Sequence, residues 1–243
     1  MSGVFTLNEE NPAEGTVRGI WRAILRAPLF GLMWLFGVRV EGIGNIPPDD
    51  TGVLVVSNHL HNLDPLLIEI ASPRPIHFMA KEELFSFRPL GWLLRRFGNF
   101  PVARGKSDRR AVRFAIATLR HGLALGMFPE GTRSRTMRLS KPHPGAGLIA
   151  IQGKSLVLPV AVTGSERMPF NGKRPPGERP DPGHRGVLIR FGEPFMLPET
   201  GANGKRLGAD EATEIMMRAI VAMLPPDYHG VYAEASGNAA PPA

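Results

Sequence analysis

Apolar and polar positions along this chain switch repeatedly between a helical period and short continuous apolar runs. A helical stretch over 16–38 carries Arg18, Arg22 and Arg26 at i, i+4 and i+8. It then enters a charge-free run, Ala27-Pro28-Leu29-Phe30-Gly31-Leu32-Met33-Trp34-Leu35-Phe36-Gly37-Val38. Pro28 predicts a kink, or a split into a helical hairpin, because proline lacks the N–H of the helix ladder. Residues 42–50 read as a turn-rich connector and 52–57 as a buried strand. Pro65 opens a helix over 65–71, with Asp64 near its N-cap. Further strands are predicted at 76–80, 124–128, 156–163 and 186–191, and further helices at 90–97, 109–121, 147–152 and 209–224. The 109–121 helix gathers Val112, Ala115, Ile116 and Leu119 on one face. Residues 172–183 form a Pro/Gly-rich loop, and the Ala/Gly/Pro-rich tail over 231–243 is expected to be disordered. Strands alternating with helices predict an α/β fold: a single central, mostly parallel sheet flanked by helices over 41–230. An N-terminal amphipathic, membrane-associated helical segment (1–40) precedes it.

The charge-free run of twelve residues is too short to cross a bilayer, which takes about 20. Basic residues leading into Trp, Phe and Leu match a helix lying in the interface plane, and the competing reading is an ordinary helix docked on the core. The first fourteen residues are polar, with Glu9, Glu10 and Glu14. They read as a loose terminus without the basic start of a signal peptide.

At 243 residues, 43% hydrophobic and 21% charged, the chain suits one globular domain of generous size. It has no cysteine, which excludes disulfides, thiolate metal sites and cysteine nucleophiles. The net charge is +7, and residues 81–120 hold all of the excess: ten Lys/Arg face three acids, Glu82, Glu83 and Asp108. Such a block should face an anionic partner. No aromatics interleave with it as in a single-strand binder and no groove-reading motif occurs, so nucleic acid gives way to phosphate or an acidic membrane surface.

Ligands of α/β sheets bind at the carboxyl ends of the strands. Three turns there carry demanding residues: Ser57-Asn58-His59-Leu60-His61-Asn62-Leu63-Asp64, Asn99-Phe100-Pro101-Val102-Ala103-Arg104-Gly105, and Phe128-Pro129-Glu130-Gly131-Thr132-Arg133-Ser134-Arg135. A carboxylate beside an imidazole is the base half of a Ser-His-Asp arrangement. No G-x-S-x-G elbow is present, so a hydroxyl activated by His59 would belong to a substrate. Arginine suits phosphate through its planar fork. Taken singly, His59 reads as a turn cap, Arg104 as a surface charge, and Glu130 and Arg133 as a local ion pair. Their joint order on strand ends favours chemistry.

Asn58-His59-x4-Asp64-Pro65, Gly98-Asn99-Phe100-Pro101-Val102-x-Arg104, Phe128-Pro129-Glu130-Gly131-Thr132-Arg133-Ser134 and Val157-Leu158-Pro159-Val160 together resemble the four blocks of the glycerolipid acyltransferases, among them the bacterial lysophosphatidate (1-acylglycerol-3-phosphate) acyltransferases. The Ala80-Lys81-Glu82-Glu83-Leu84-Phe85 segment resembles a further family motif, and the likeness spans about residues 40 to 200. The resemblance implies acyl transfer from acyl-CoA or acyl carrier protein to the sn-2 hydroxyl of 1-acylglycerol 3-phosphate, giving phosphatidate for phospholipid biosynthesis. It implies His59 as general base and Asp64 as the partner of its other ring nitrogen. It places Arg104, Glu130, Gly131, Thr132 and Arg133 at the glycerol phosphate acceptor, with Lys81 a further contact. Val157 to Val160 is implied as structure and acyl-chain wall. No metal or prosthetic group is implied, and the setting is the cytoplasmic face of a cell membrane, as a peripheral or monotopic protein.

The alternative is the same chemistry on another acceptor, such as glycerol 3-phosphate, a lysophospholipid or an amino-lipid. Position 61 departs from the family, which more often has serine there. His59-x-His61-x-x-Asp64 also raises a remote metal-dependent hydrolase reading, with ligands borrowed from His77, His121, His143, His184 or His229, and a non-catalytic lipid-binding module is a third class.

Overall fold

The computed structural model describes residues 8–14, 16, 19–102, 108–169, 171 and 179–237. Seven strands form one sheet in the order β1-β7-β6-β2-β5-β3-β4. They are β1 (Arg39–Glu41), β2 (Val53–Ser57), β3 (Ile76–Lys81), β4 (Phe100–Val102), β5 (Ala124–Met127), β6 (Leu156–Thr163) and β7 (Leu188–Phe191). All neighbouring pairs run parallel except β6 with β7. The expected mostly parallel α/β sheet is therefore observed. The edge strands β1 and β4 were not foreseen, because three residues are too few to show a period.

Val53 to Ser57 is buried throughout, which is why the central strand reads as an apolar run without alternation. Its odd and even positions feed two cores. Leu54 and Val56 pack with α4 (Arg109–Arg120), α5 (Gly145–Gly153) and α6 (Ala209–Val221). Val53 and Val55 pack with α2 (Asp64–Ala71) and with Met33 of α1 (Gly19–Leu35). Pro159 sits inside β6 without a lost ladder bond, because β7 has ended opposite it and only its carbonyl is used, by Gly192 N–H at 2.8 Å. Val157, Leu158 and Val160 are buried in these two cores.

α1 is one continuous helix with Pro28 inside it, so of the two expectations, kink or hairpin, the hairpin does not form. Its arginines also behave differently from a membrane-facing row. Arg22 is 6% exposed and binds Glu69 Oε1 at 2.7 Å. It also donates to the carbonyls of Glu69, Ser72, Pro73 and Arg74. Arg26 donates to the Ile70 carbonyl. A cation over the unsatisfied carbonyls at a helix C-terminus is well placed against the dipole. Arg18 lies outside the described residues. What α1 turns outward is apolar: Ile20, Trp21, Ile24, Phe30, Trp34 and Leu35 are all exposed, Trp34 by 84%.

Residues 8–14 and 230–237 are held more firmly than their composition suggests. Glu9 pairs with Arg113 at 3.1 Å and the Glu10 carbonyl meets His121 Nε2 at 3.2 Å, so residues 8–14 lie against α4. The expected disorder from 231 is corrected as far as Gly237: Gly230–Gly237 is a 3-10 run, with Tyr232 buried in the core. Residues 238–243 lie outside the described residues.

Burial pushes Glu69 up to about 7, against the pull of Arg22 and of the Ile76 N–H. Its folded value lies above the ordinary 4.5, so its protonation favours the fold. That contribution is full below about 4.5 and is lost as pH rises through about 7. Arg22→Met removes the pull and raises the folded value further. Urea unfolding should show a loss of about 3 kcal/mol, as for a broken buried pair. The deficit should widen as pH rises above about 7, where the native carboxyl has ionised beside Arg22 and the variant's has not.

Candidate active site

Pairing registers bring the carboxyl ends of β2, β5 and β3 to one edge: Val55 lies level with Gly126, and Gly126 with Phe78. Beyond that level β2 runs into His59, β5 into Glu130, and β3 ends at Lys81. Asn58 fixes the exit of β2. Its side chain donates to the Val162 carbonyl and accepts from the Val162 N–H, both at 2.8 Å, just where the β2–β6 ladder stops.

From there the chain makes a tight turn around one oxygen. Asp64 Oδ2 accepts from Leu60 N–H at 2.7 Å, from His61 N–H at 2.6 Å and from His59 Nδ1 at 3.0 Å. Asp64 has no exposed surface and opens the first turn of α2, where the helix dipole also favours a carboxylate. Because Nδ1 donates to Asp64, Nε2 carries the lone pair. The ring is pinned from one side by Phe128, stacked at 4.0 Å between centroids and 18° between planes, and Phe128 rests on Phe78 at 5.7 Å. Gly126 makes room for that stack: a Cβ there would fall 2.3 Å from the Phe78 ring.

Glu130 stands under the same turn. Its Oε1 accepts from His59 N–H at 3.1 Å, and its Oε2 from Ser140 N–H at 2.9 Å and Ser140 Oγ at 2.7 Å. It is 2% exposed, and burial pushes its carboxyl above the usual range. Both oxygens are engaged by the chain, so Glu130 braces the His59 backbone. Gly131 takes a left-handed φ of 70°, and Thr132 is exposed. Arg133 NH1 donates to the Asn171 carbonyl and Oδ1, both at 2.7 Å, while Nε and NH2 have no hydrogen-bond partner among the described residues. Asn171 in turn donates to the Leu60 carbonyl at 2.9 Å. Lys81 is half exposed and pairs with Glu83 at 2.9 Å. Arg104 lies outside the described residues.

The structure thus brings His59, Asp64, Glu130 and Arg133 into one connected turn, with Lys81 at the end of a nearby strand. Asn58 and Phe128 were quoted within the sequence turns without a role, and Ser140 and Asn171 were not named by sequence reasoning. Asn58 and Phe128 adjoin the singled-out residues, whereas nothing in the sequence ties Ser140 or Asn171 to this edge.

His61 is 1% exposed, and its ring serves the backbone: Nδ1 accepts from Leu63 N–H at 3.0 Å and Nε2 meets the Pro169 carbonyl at 3.1 Å. That pattern fixes the Nε2–H tautomer and engages both nitrogens that a metal would need. No group of three or more His, Asp or Glu among the described residues is placed to hold a metal ion.

Residues 37–163, half of the chain, match the family model described as Acyltransferase. The chain belongs to the acyltransferase family. It is 31% identical over 160 residues to a 1-acyl-sn-glycerol-3-phosphate acyltransferase of Streptococcus pneumoniae, covering 63% of this chain and 59% of that protein. Against the enzyme of the same description from Bacillus subtilis the identity is 34% over 139 residues, covering 56% of this chain and 66% of the relative. These matches span less than two thirds of the relatives' own length. The crystal structure of the LPA acyltransferase PlsC from Thermotoga maritima superposes with a TM-score of 0.59 at 27% identity, covering 85% of this chain and 83% of that one.

The His61 geometry predicts its nitrogen chemical shifts. In a protein labelled with 15N at histidine, His61 should show a protonated Nε2 and an unprotonated Nδ1, and His59 the reverse. His61→Ala should cost about 1 to 3 kcal/mol, because it leaves the Leu63 N–H and the Pro169 carbonyl unpaired.

Proposed function

We propose that this acyltransferase moves a fatty acyl group from acyl-CoA or acyl carrier protein to the sn-2 hydroxyl of 1-acylglycerol 3-phosphate. The observation that carries this reading is the orientation of His59: Nδ1 is held by a buried carboxylate, so Nε2 is the available base. Nε2 takes the proton of the acceptor hydroxyl as its oxygen bonds to the thioester carbon. Asp64 stabilises the imidazolium. The tetrahedral intermediate then expels the thiolate as the C–S bond breaks, and the imidazolium returns the proton to sulfur. Phosphatidate and free thiol leave, and the base is restored.

Arg133 supports the acceptor assignment. One nitrogen of its fork is anchored on Asn171, which leaves Nε and NH2 to meet a phosphate bidentately. Gly131, Thr132, Arg104 and Lys81 are the other acceptor contacts. Glu130, with both oxygens engaged, acts through the backbone of His59 and Ser140. The relatives described as 1-acyl-sn-glycerol-3-phosphate acyltransferases support the same acceptor. A second reading keeps the chemistry and exchanges the acceptor for an amino-lipid. It draws on a lyso-ornithine lipid O-acyltransferase of Pseudomonas aeruginosa, 33% identical over 130 residues, which cover 53% of this chain and 48% of that protein.

The apolar outer face of α1 supports association with the membrane surface. No helix among the described residues is long and apolar enough to cross a membrane. The fold would then lie on the bilayer that holds its acceptor, with residues 1–40 as the membrane-associated segment of a domain over 41–230.

An acceptor panel with both donors tests the reading. Labelled product should form best with 1-acylglycerol 3-phosphate, and His59→Ala should lower turnover by about 10³-fold or more. Near-native turnover in that variant would exclude His59 as the base. Glu130→Gln should lower kcat while leaving the acceptor KM unchanged, whereas Arg133→Ala should raise KM. Preference for a lyso-amino-lipid across the panel would select the second reading.

A further inference from the structure

Trp34 is not the only large apolar side chain turned to solvent near the catalytic edge. Immediately after Lys81, a 3-10 turn (Glu82–Phe85) leads through Phe87 into α3 (Arg88–Arg96). Leu84, Phe87 and Trp92 on this segment are 44%, 66% and 52% exposed. The inner side of α3 is already committed. Gly91 is buried against the turn so closely that a Cβ would fall 2.6 Å from the Phe85 carbonyl oxygen. The apolar outer side is therefore a displayed surface, with no role in holding α3 to the fold.

The turn that leads into this surface carries Glu82 and Glu83, of which Glu83 is paired with Lys81, and the helix after it is purely basic. α3 contains Arg88, Arg95 and Arg96 and no acidic residue. Arg96 lies over the Trp92 ring at 5.5 Å and Arg95 over Phe85 at 5.2 Å, so charge and aromatic surface are presented together. Arginine beside tryptophan is what a bilayer interface with anionic headgroups accommodates: indole at the headgroup level, guanidinium on the phosphates.

Register gives this segment its place. Val55, Gly126 and Phe78 are level, and β3 continues three residues to Lys81, level with Asn58. On the other side, Ser57 pairs with Val160, Thr163 with Leu188, and Leu188 with Arg39. The chain therefore leaves α1 and enters β1 at the same carboxyl edge. Trp34 and Leu35 sit just before one flank of the catalytic edge, and Leu84 and Phe87 just after the other, with β2 and His59 between them.

We propose that the 82–96 segment is a second docking surface for an anionic lipid bilayer, opposite α1 across the catalytic edge. Two contacts on either side of His59 orient that edge toward the lipid, which one helix alone leaves free to swivel. The proposal rests on the membrane-surface reading of α1, and the two can fail separately.

The chain has three tryptophans, Trp21, Trp34 and Trp92. Trp21→Phe/Trp34→Phe leaves Trp92 as the sole reporter, and Trp21→Phe/Trp92→Phe leaves Trp34. Both full-length proteins are mixed with vesicles of brominated phosphatidylcholine, with and without phosphatidylglycerol. Both reporters should be quenched, Trp92 more strongly when phosphatidylglycerol is present. Quenching of Trp34 without Trp92 overturns the proposal and leaves the α1 reading standing, and quenching of neither removes both. In the otherwise native chain, Phe87→Ser/Trp92→Ser should lower vesicle partition about tenfold or more, given the apolar area withdrawn. Turnover of a water-soluble short-chain acceptor should be unchanged. If that variant alters oligomeric mass and leaves partition untouched, the surface is a contact between copies of the chain and the proposal is overturned.

Discussion

A carboxylate with no exposed surface has to find its hydrogen-bond donors inside the fold, and Asp64 finds them in the five residues before it. One oxygen gathers two backbone N–H groups and an imidazole, which closes the 59–64 turn and sets the tautomer of His59. The position of Pro65 follows, because the same carboxylate begins α2 and proline is tolerated where no helical N–H is needed. A chain that satisfied Asp64 differently would lose the start of α2 and the orientation of the His59 ring together.

Around that turn each support comes from a different part of the chain. Asn58 splices β2 to β6, Glu130 braces the His59 backbone from the end of β5, and Asn171 holds the Leu60 carbonyl while gripping Arg133. Phe128 covers the imidazole face, and Gly126 admits the ring beneath it. At the other end of α2, Arg22 and Arg26 close the last carbonyls and fasten α1. The helix that carries Asp64 is thus fixed at both ends, one end by the site and the other by the segment that displays Trp34.

The central strands were legible because burial on both faces leaves an unbroken apolar run, as in Val53 to Val56. The 57–64 and 128–135 turns were legible because each follows directly on a strand. Residues whose role depends on a distant partner were not. Arg22 looks like one of three evenly spaced surface charges until Glu69, far along the chain, is seen beneath it. Glu130 looks like one half of a local pair with Arg133 until Ser140 is seen to bind its second oxygen. Asn171 lies in a loop whose composition says only that it turns. Period and spacing report on neighbours in sequence, and these three interactions join residues 47, 10 and 111 positions apart.

The segment that holds Ser140 is itself held from late in the chain. Leu139 donates to the Tyr228 carbonyl and accepts from Val231 N–H, and Gly230 comes so near that a Cβ would fall 2.1 Å from the Leu139 oxygen. The brace beneath His59 therefore closes through a loop of about ninety residues, the kind of non-local contact that forms late in folding. In vectorial synthesis the sheet and the His59–Asp64 turn can assemble while the Glu130 brace still waits for residues 228–231. The turn that holds His59 gains this footing when the last helical turns arrive, so an incompletely made chain displays a recognisable sheet whose 59–64 turn lacks its support from below.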